Sequence, residues 1–297
     1  MGMYINNNSM ATNVANNLNT HYGKLQTSTQ RLSSGLRINS AADDAAGLGI
    51  RELMRADVAA LNQGVRNAND AISLIQTADG ALGIIDEKLV RMKELAEQAS
   101  TGTYDSTQRL MIESEYQAMA SEITRIANST DFNGIHLLNG NLSSATHSGK
   151  GLTSTGKMKI HFGSLNDSAE DYYYIQIGTS TASALGVGNQ AKASNQGYTI
   201  STQSAAQQAL VGLQNAIVSK DKIRASLGAL QNRFENTISN LKIQSENIQA
   251  AESRISDVDV ATEMTQFVRN QILTQSAVAM LSQANSMPRM AMQLIGG

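Results

Sequence analysis

Four histidines, His21, His136, His147 and His161, are the side chains best suited to hold a metal or to move a proton near neutral pH. None stands in an H-E-x-x-H or comparable ligand spacing, so they read as polar surface or hairpin residues. The carboxylates of Asp43-Asp44 and of Asp257-x-Asp259 with Glu263 could bind a cation. Both sets stand at expected helix starts, where a carboxylate caps free amides and offsets the macrodipole, and capping is the favoured role. Gly47-Leu48-Gly49 has no strand before it and no Lys-Ser/Thr after it, which argues against a phosphate loop. With no cysteine, the chain has neither disulfides nor thiolate metal sites. The thirteen methionines fall mainly at apolar helix positions and read as adaptable packing. No catalytic constellation, metal set or cofactor site emerges.

The elements that would position such residues are long helices. Charged residues make up 16% of the 297 positions, against roughly 25% in an ordinary soluble chain, and Asn, Gln, Ser and Thr take their place. A face of that kind is cheaper to desolvate, which suits burial against other copies. Net charge −2 gives no electrostatic case for nucleic acid or an anionic membrane. No stretch approaches a transmembrane span, and MGMYINNNSM lacks the basic and apolar regions of a secretory signal. Any export would need another route.

The organising stretch is Gln30–Ile50, QRLSSGLRINSAADDAAGLGI. Ser33-Ser34-Gly35 interrupts helix propensity, Leu36 and Ile38 offer an extended apolar pair, and Ser40 or Asp43 can cap the next helix with Asp44 in its first turn. It reads as a joint between two helical layers, with Arg31 and Arg37 beside it either as donors to carbonyls or carboxylates or as ordinary solvated side chains. Before it, Leu18, Leu25 and Leu32 recur every seven residues in a weak helix former that needs a partner. After it, Leu61, Ala68, Ile75, Leu82, Leu89 and Ala96 form one heptad row. Val58, Val65 and Ile72 form a second, resumed one residue early at Ala78, Ile85 and Met92. Thr101-Gly102-Thr103 ends this helix, Asp105 or Ser106 caps a third over Leu110–Asn128, and Asn133-Gly134 and Asn139-Gly140 predict a β-hairpin.

Residues 141–200 are Gly-rich, with strand candidates at Lys157–Phe162 and Asp171–Gly178. Ser201 or Thr202 can cap a helix to about Ser256, with Leu227, Phe234, Leu241, Ile248 and Ile255 seven apart. It matches the helix from Asp44 in length, roughly 80 Å, so the two are expected to pair. A second break, Ile255–Asp259, mirrors the first, and Val260, Met264, Phe267, Val278 and Leu281 give the last helix an apolar stripe. The expected fold is mainly α: a long antiparallel coiled-coil bundle made by the N- and C-terminal halves, with a β-hairpin and a small β-rich insertion. Residues 1–43 and 257–297 would form an inner helical domain, 44–140 and 201–256 a helical rod with the hairpin, and 141–200 an insertion at its tip.

Residues 1–140 and 200–297 resemble the bacterial flagellins, in QRLSSGLRINSAADDAAGLGI, LGALQNRFENTISNL, ESRISDVDVATEM and QILTQSAVAMLSQAN. The resemblance implies a subunit of a motility filament, not an enzyme and without cofactors. It would polymerise through Ile5, Val14, Leu18, Leu25, Leu32, Leu36, Val260, Met264, Phe267, Val278 and Leu281. It implies type III export, secretion to an external or periplasmic flagellum, and several partners. These are copies of itself, an export chaperone at the C-terminal segment, and hook-associated and cap proteins. Some members are recognised by an animal innate immune receptor, and the matching positions are Arg91, Leu95 and Glu115, while Val90 and Lys93 depart from the commonest form. A hook–filament junction protein is the nearest alternative. A signalling coiled coil is disfavoured by the uncharged ends, and an enzyme in the insertion by the lack of a catalytic set.

Overall fold

A computed structural model describes residues 8–144, 146, 156–167, 170–188 and 198–295. Six helices and two small antiparallel ribbons follow in order. They are α1 (Ser9–Ser34), α2 (Ala45–Ser100), α3 (Ser106–Ser129), β1 (Asp131–Phe132), β2 (Ile135–His136), β3 (Met158–His161), β4 (Tyr172–Ile175), α4 (Ala182–Leu185), α5 (Gln203–Ser256) and α6 (Val260–Ile295). The mainly helical, out-and-back fold agrees with the sequence. Two compact units result: residues 1–58 with 246–297, and residues 59–245. The division falls inside α2 and α5, so residues 44–58 and 246–256 group with the terminal helices and not with the rod.

In the second unit α2 and α5 run antiparallel. Arg224 meets Asp79 at 2.7 Å, Lys220 meets Asp86 at 2.6 Å, and the Lys93 ammonium donates to Gln214 at 2.8 Å. Every member of the Leu61–Ala96 heptad row is buried, as are Ala78, Ile85 and Met92, whereas Val58, Val65 and Ile72 are half-buried. Each large apolar side chain fully buried along this seam contributes roughly 1.5–3 kcal/mol before entropy is charged against it. Helix α3 folds back on the pair, with Arg91 against Glu115 and Arg109 donating to the Ala99 carbonyl. Asp105 caps it through a reciprocal box with Gln108. Asn133 (φ 52°) and Gly134 (φ 78°) make the two-residue turn between β1 and β2 that the Asn-Gly dipeptide predicts.

Of the insertion expected at the tip, the described residues include one ribbon beside the rod. This ribbon pairs Met158 with Ile175 and His161 with Tyr172, and lies along the rod. Tyr173 meets Phe234 edge-on at 5.9 Å, the Arg233 guanidinium sits 3.5 Å from the Tyr173 ring, and Asn67 donates to the His161 carbonyl. Gly64 makes this approach feasible, because a Cβ there would fall 2.0 Å from the Phe162 carbonyl oxygen. Residues 64–67 are about 50 Å along α2 from its end at Ser100. Leu142, Ile175, Ile177, Leu185, Val187 and Ile200 join the apolar core of α2, α3 and α5. The reason is burial: a ribbon this small cannot fold alone, and the rod supplies the missing apolar face.

Candidate assembly surface

The terminal pair is built from an unusual seam. Helices α1 and α6 run antiparallel, with Asn8 meeting Ala284 and Arg31 meeting Glu263 at 3.7 Å. Between them lie Ser28, Glu263, Asn270, Thr274 and Ala284, all buried, and half-buried Val14, Leu18, His21, Leu25, Leu32, Phe267 and Leu281. Small and polar side chains therefore do much of the intrachain packing. Apart from Phe267 and Leu281, the large apolar side chains of α6 lie outside this seam. Val260, Met264, Val268, Ile272, Leu273, Val278, Met280, Met287 and Met290 are exposed, Ile272 at 56% and Met280 at 63%. A helix apolar on more than one side is a helix buried on more than one side. Among the described residues nothing covers this second side of α6.

Asn8 fixes the far end of the pair with both halves of its amide. Its Oδ1 accepts the Ala11 amide at 3.0 Å and caps α1. Its Nδ2 donates to the Ala284 carbonyl at 2.8 Å. That carbonyl is the one Pro288 leaves without an intrahelical donor, since proline has no N–H to return to residue i−4. Proline at 288 stays inside α6 and Asn8 supplies the lost bond.

The joint closes at the other end. Leu36 and Asp257 form an isolated antiparallel bridge, the Arg37 amide donates to the Ser256 carbonyl at 2.6 Å, and Val258 donates to the Gly35 carbonyl at 3.0 Å. Gly35 ends α1 in the left-handed region, φ 73°. Arg37 also donates to the Ile255 carbonyl, and buried Arg51 donates to the carbonyl of Ile38, whose side chain is buried as well. Asp44, not Asp43, caps α2, accepting the Gly47 amide at 2.8 Å. Asp43 organises the turn before it, accepting the Ser40 and Asn39 amides, and these hold its carboxyl below the usual range, the Ser40 amide most. The Thr262 hydroxyl, then the Thr262 and Ala261 amides, do the same for Asp259 at the start of α6. Asp44 and Asp259 cap helices, Asp43 holds a turn, and among the described residues no cluster of three metal-ligating side chains forms.

The sequence-derived residues divide accordingly. Val260, Met264 and Val278 face outward; Val14, Leu18, Leu25, Leu32, Phe267 and Leu281 line the seam; Leu36 is half-buried in the joint; Ile5 lies outside the described residues. Val268, Ile272, Leu273, Met280, Met287 and Met290, also exposed, lie outside the single stripe that the sequence suggests. The signal available was the excess of apolar residues over what one stripe needs. Of the receptor candidates, Arg91 and Glu115 are exposed and paired at 2.9 Å, with Glu94 also at 2.9 Å from Arg91. Leu95 is 2% exposed and packs in the rod core. His136 is exposed on the hairpin, His161 stacks on Tyr172, and His147 lies outside the described residues.

Family models match both halves: the bacterial flagellin N-terminal helical region over residues 5–143 and the bacterial flagellin C-terminal helical region over residues 210–295. The flagellar filament 33 kDa core protein of Treponema phagedenis is 40% identical, covering 99% of this chain and 100% of its own. The flagellin of Bacillus subtilis (strain 168) is 41% identical with the same coverage. The crystal structure of Bacillus cereus flagellin aligns with 63% of this chain and 94% of its own, at 28% identity and a TM-score of 0.46.

Proposed function

This chain belongs to the bacterial flagellin family, and from that premise we propose that it polymerises into the flagellar filament through the outward apolar face of its terminal helices. It is a structural filament subunit and not an enzyme. Full-length relatives named as flagellin or filament core protein do not favour the hook–filament junction alternative. Its place is an extracellular or periplasmic flagellum, and among the described residues no helix is long and apolar enough to cross a membrane.

One observation carries the mechanism: α6 leaves most of its large apolar side chains exposed, while Glu263, Asn270, Thr274 and Ala284 are its fully buried seam residues. A face of that size in water is unfavourable, and neighbouring copies would remove it. Coupled folding and assembly follows. The terminal segments order fully only when neighbours cover them, which also suits passage through an export channel as extended chain. Before assembly an export chaperone would shield the C-terminal segment, and hook-associated and cap proteins would meet the same face at the two filament ends. Exposed Arg91 and Glu115, over Leu95, would be the contact for an animal innate immune receptor, with Val90 and Lys93 altering its fit.

Limited proteolysis tests the assembly reading. The soluble monomer is expected to be cut within residues 1–35 and 265–297 while the filament resists. Equal resistance in both states would end the coupled-folding mechanism.

A further inference from the structure

We propose that the exposed methionines of the terminal pair form an oxidation site through which peroxide controls polymerisation. In the single chain Met10 is 54% exposed, Met264 45%, Met280 63%, Met287 36% and Met290 47%. In the antiparallel register set by Asn8 and Ala284, Met10, Met280, Met287 and Met290 all belong to the end of the pair where α1 begins. The chain has no cysteine, so thioethers are its only reducing sulfur. Met92, at 0% exposure in the rod core, provides an unreactive internal reference. The site rests on the reading above, that neighbours cover this face in the filament.

The chemistry needs one co-reactant, hydrogen peroxide or another two-electron peroxide. A sulfur lone pair attacks one peroxide oxygen, the O–O bond breaks as the S–O bond forms, and proton transfer releases water. Sulfur is oxidised by two electrons and peroxide reduced by two. The product sulfoxide replaces a flexible apolar tip with a strong acceptor. Burying that oxygen without a donor is unfavourable, and α6 has only Arg289 as a charged donor beyond Asn270. Oxidised monomer is therefore excluded from the polymer, filament is protected because its sulfurs are covered, and reduction of the sulfoxide restores assembly.

The test compares full-length monomer and seeded filament after the same hydrogen peroxide exposure. Sulfoxide at each methionine is mapped by peptide mass spectrometry, and the free-monomer concentration at equilibrium is measured. The five terminal methionines are expected to oxidise at least about tenfold faster in monomer than in filament, Met92 in neither, and oxidised monomer to need about tenfold higher concentration to polymerise. Methionine sulfoxide reductase with a thiol reductant should reverse the effect. A chain carrying Met→Leu at the five positions should polymerise regardless of peroxide. Equal oxidation in both states, unchanged polymerisation of oxidised monomer, or a Met→Leu chain as sensitive as the native one would each overturn the proposal. Failure of untreated native chain to polymerise would instead overturn the assembly reading, so the two are separable.

Discussion

Replacing Asn8 by Ala removes two bonds at once, and Pro288 decides how much the second one matters. The lost cap to the Ala11 amide is worth about 1 kcal/mol. The lost bond to the Ala284 carbonyl, part-buried and without an intrahelical donor, adds roughly 1 kcal/mol. If the terminal pair orders on assembly, each added subunit carries this cost, and about 2 kcal/mol raises the critical concentration about thirtyfold. Pro288→Ala returns an N–H to Ala284, so Asn8→Ala in that background should lose only the cap and raise it about fivefold. The coupling, about 1 kcal/mol, is read from a double-mutant cycle of the free-monomer concentration over sedimented filament. An Asn8→Ala effect of equal size in both backgrounds would refute the reasoning that the side chain replaces the donor missing at Pro288.

Three further outcomes follow from the geometry. Asp43 and Asp259 have depressed folded values, so what they contribute is fully present above the unfolded carboxyl value, about 3.9, and is lost as pH falls through the lower folded values. An acid titration by circular dichroism should show helix loss below about pH 4 that is smaller in Asp43→Asn with Asp259→Asn; superimposable titrations would count against it. Gly64→Ala should push the Phe162 segment off α2 at roughly 1–3 kcal/mol, seen as faster hydrogen exchange over residues 158–175 with α2 unchanged. In the rod, Lys220 is buried against Asp86 and Asp221, both of which reach solvent. Asp86→Asn, which strips a partner from a buried cation, should therefore destabilise by about 2 kcal/mol in denaturant melts, more than Lys220→Met does.

The legible parts of this fold are those written locally. A seven-residue row from Leu61 to Ala96 could be read because a long helix buries the same face at every second turn, and Asn133-Gly134 because its turn needs positive φ at both positions. Ser33-Ser34-Gly35 and Ile255–Asp259 announced the joint, though Asp44 takes the cap and leaves the turn to Asp43. The placement of the insertion beside Gly64 and Phe234 had no local signature, since it depends on a contact between distant segments. Leu95 is buried because α3 packs as a third helix and widens the buried face of α2 beyond one stripe. On α6 residue type and burial part company: Glu263, Asn270 and Thr274 are polar and buried, whereas Ile272 and Met280 are apolar and exposed. On the proposed assembly the subunit has two cores, and only one of them is closed within the single chain.

Seeded assembly of Ile272→Lys, followed by negative-stain electron microscopy beside the native chain, tests that claim most directly. Ile272 is 56% exposed, so the monomer's circular dichroism should be unchanged, while an unpaired ammonium on the face that neighbours cover should abolish filaments at concentrations where the native chain forms them. Normal filaments from Ile272→Lys would contradict the account, because α6 would then not be the face through which copies meet.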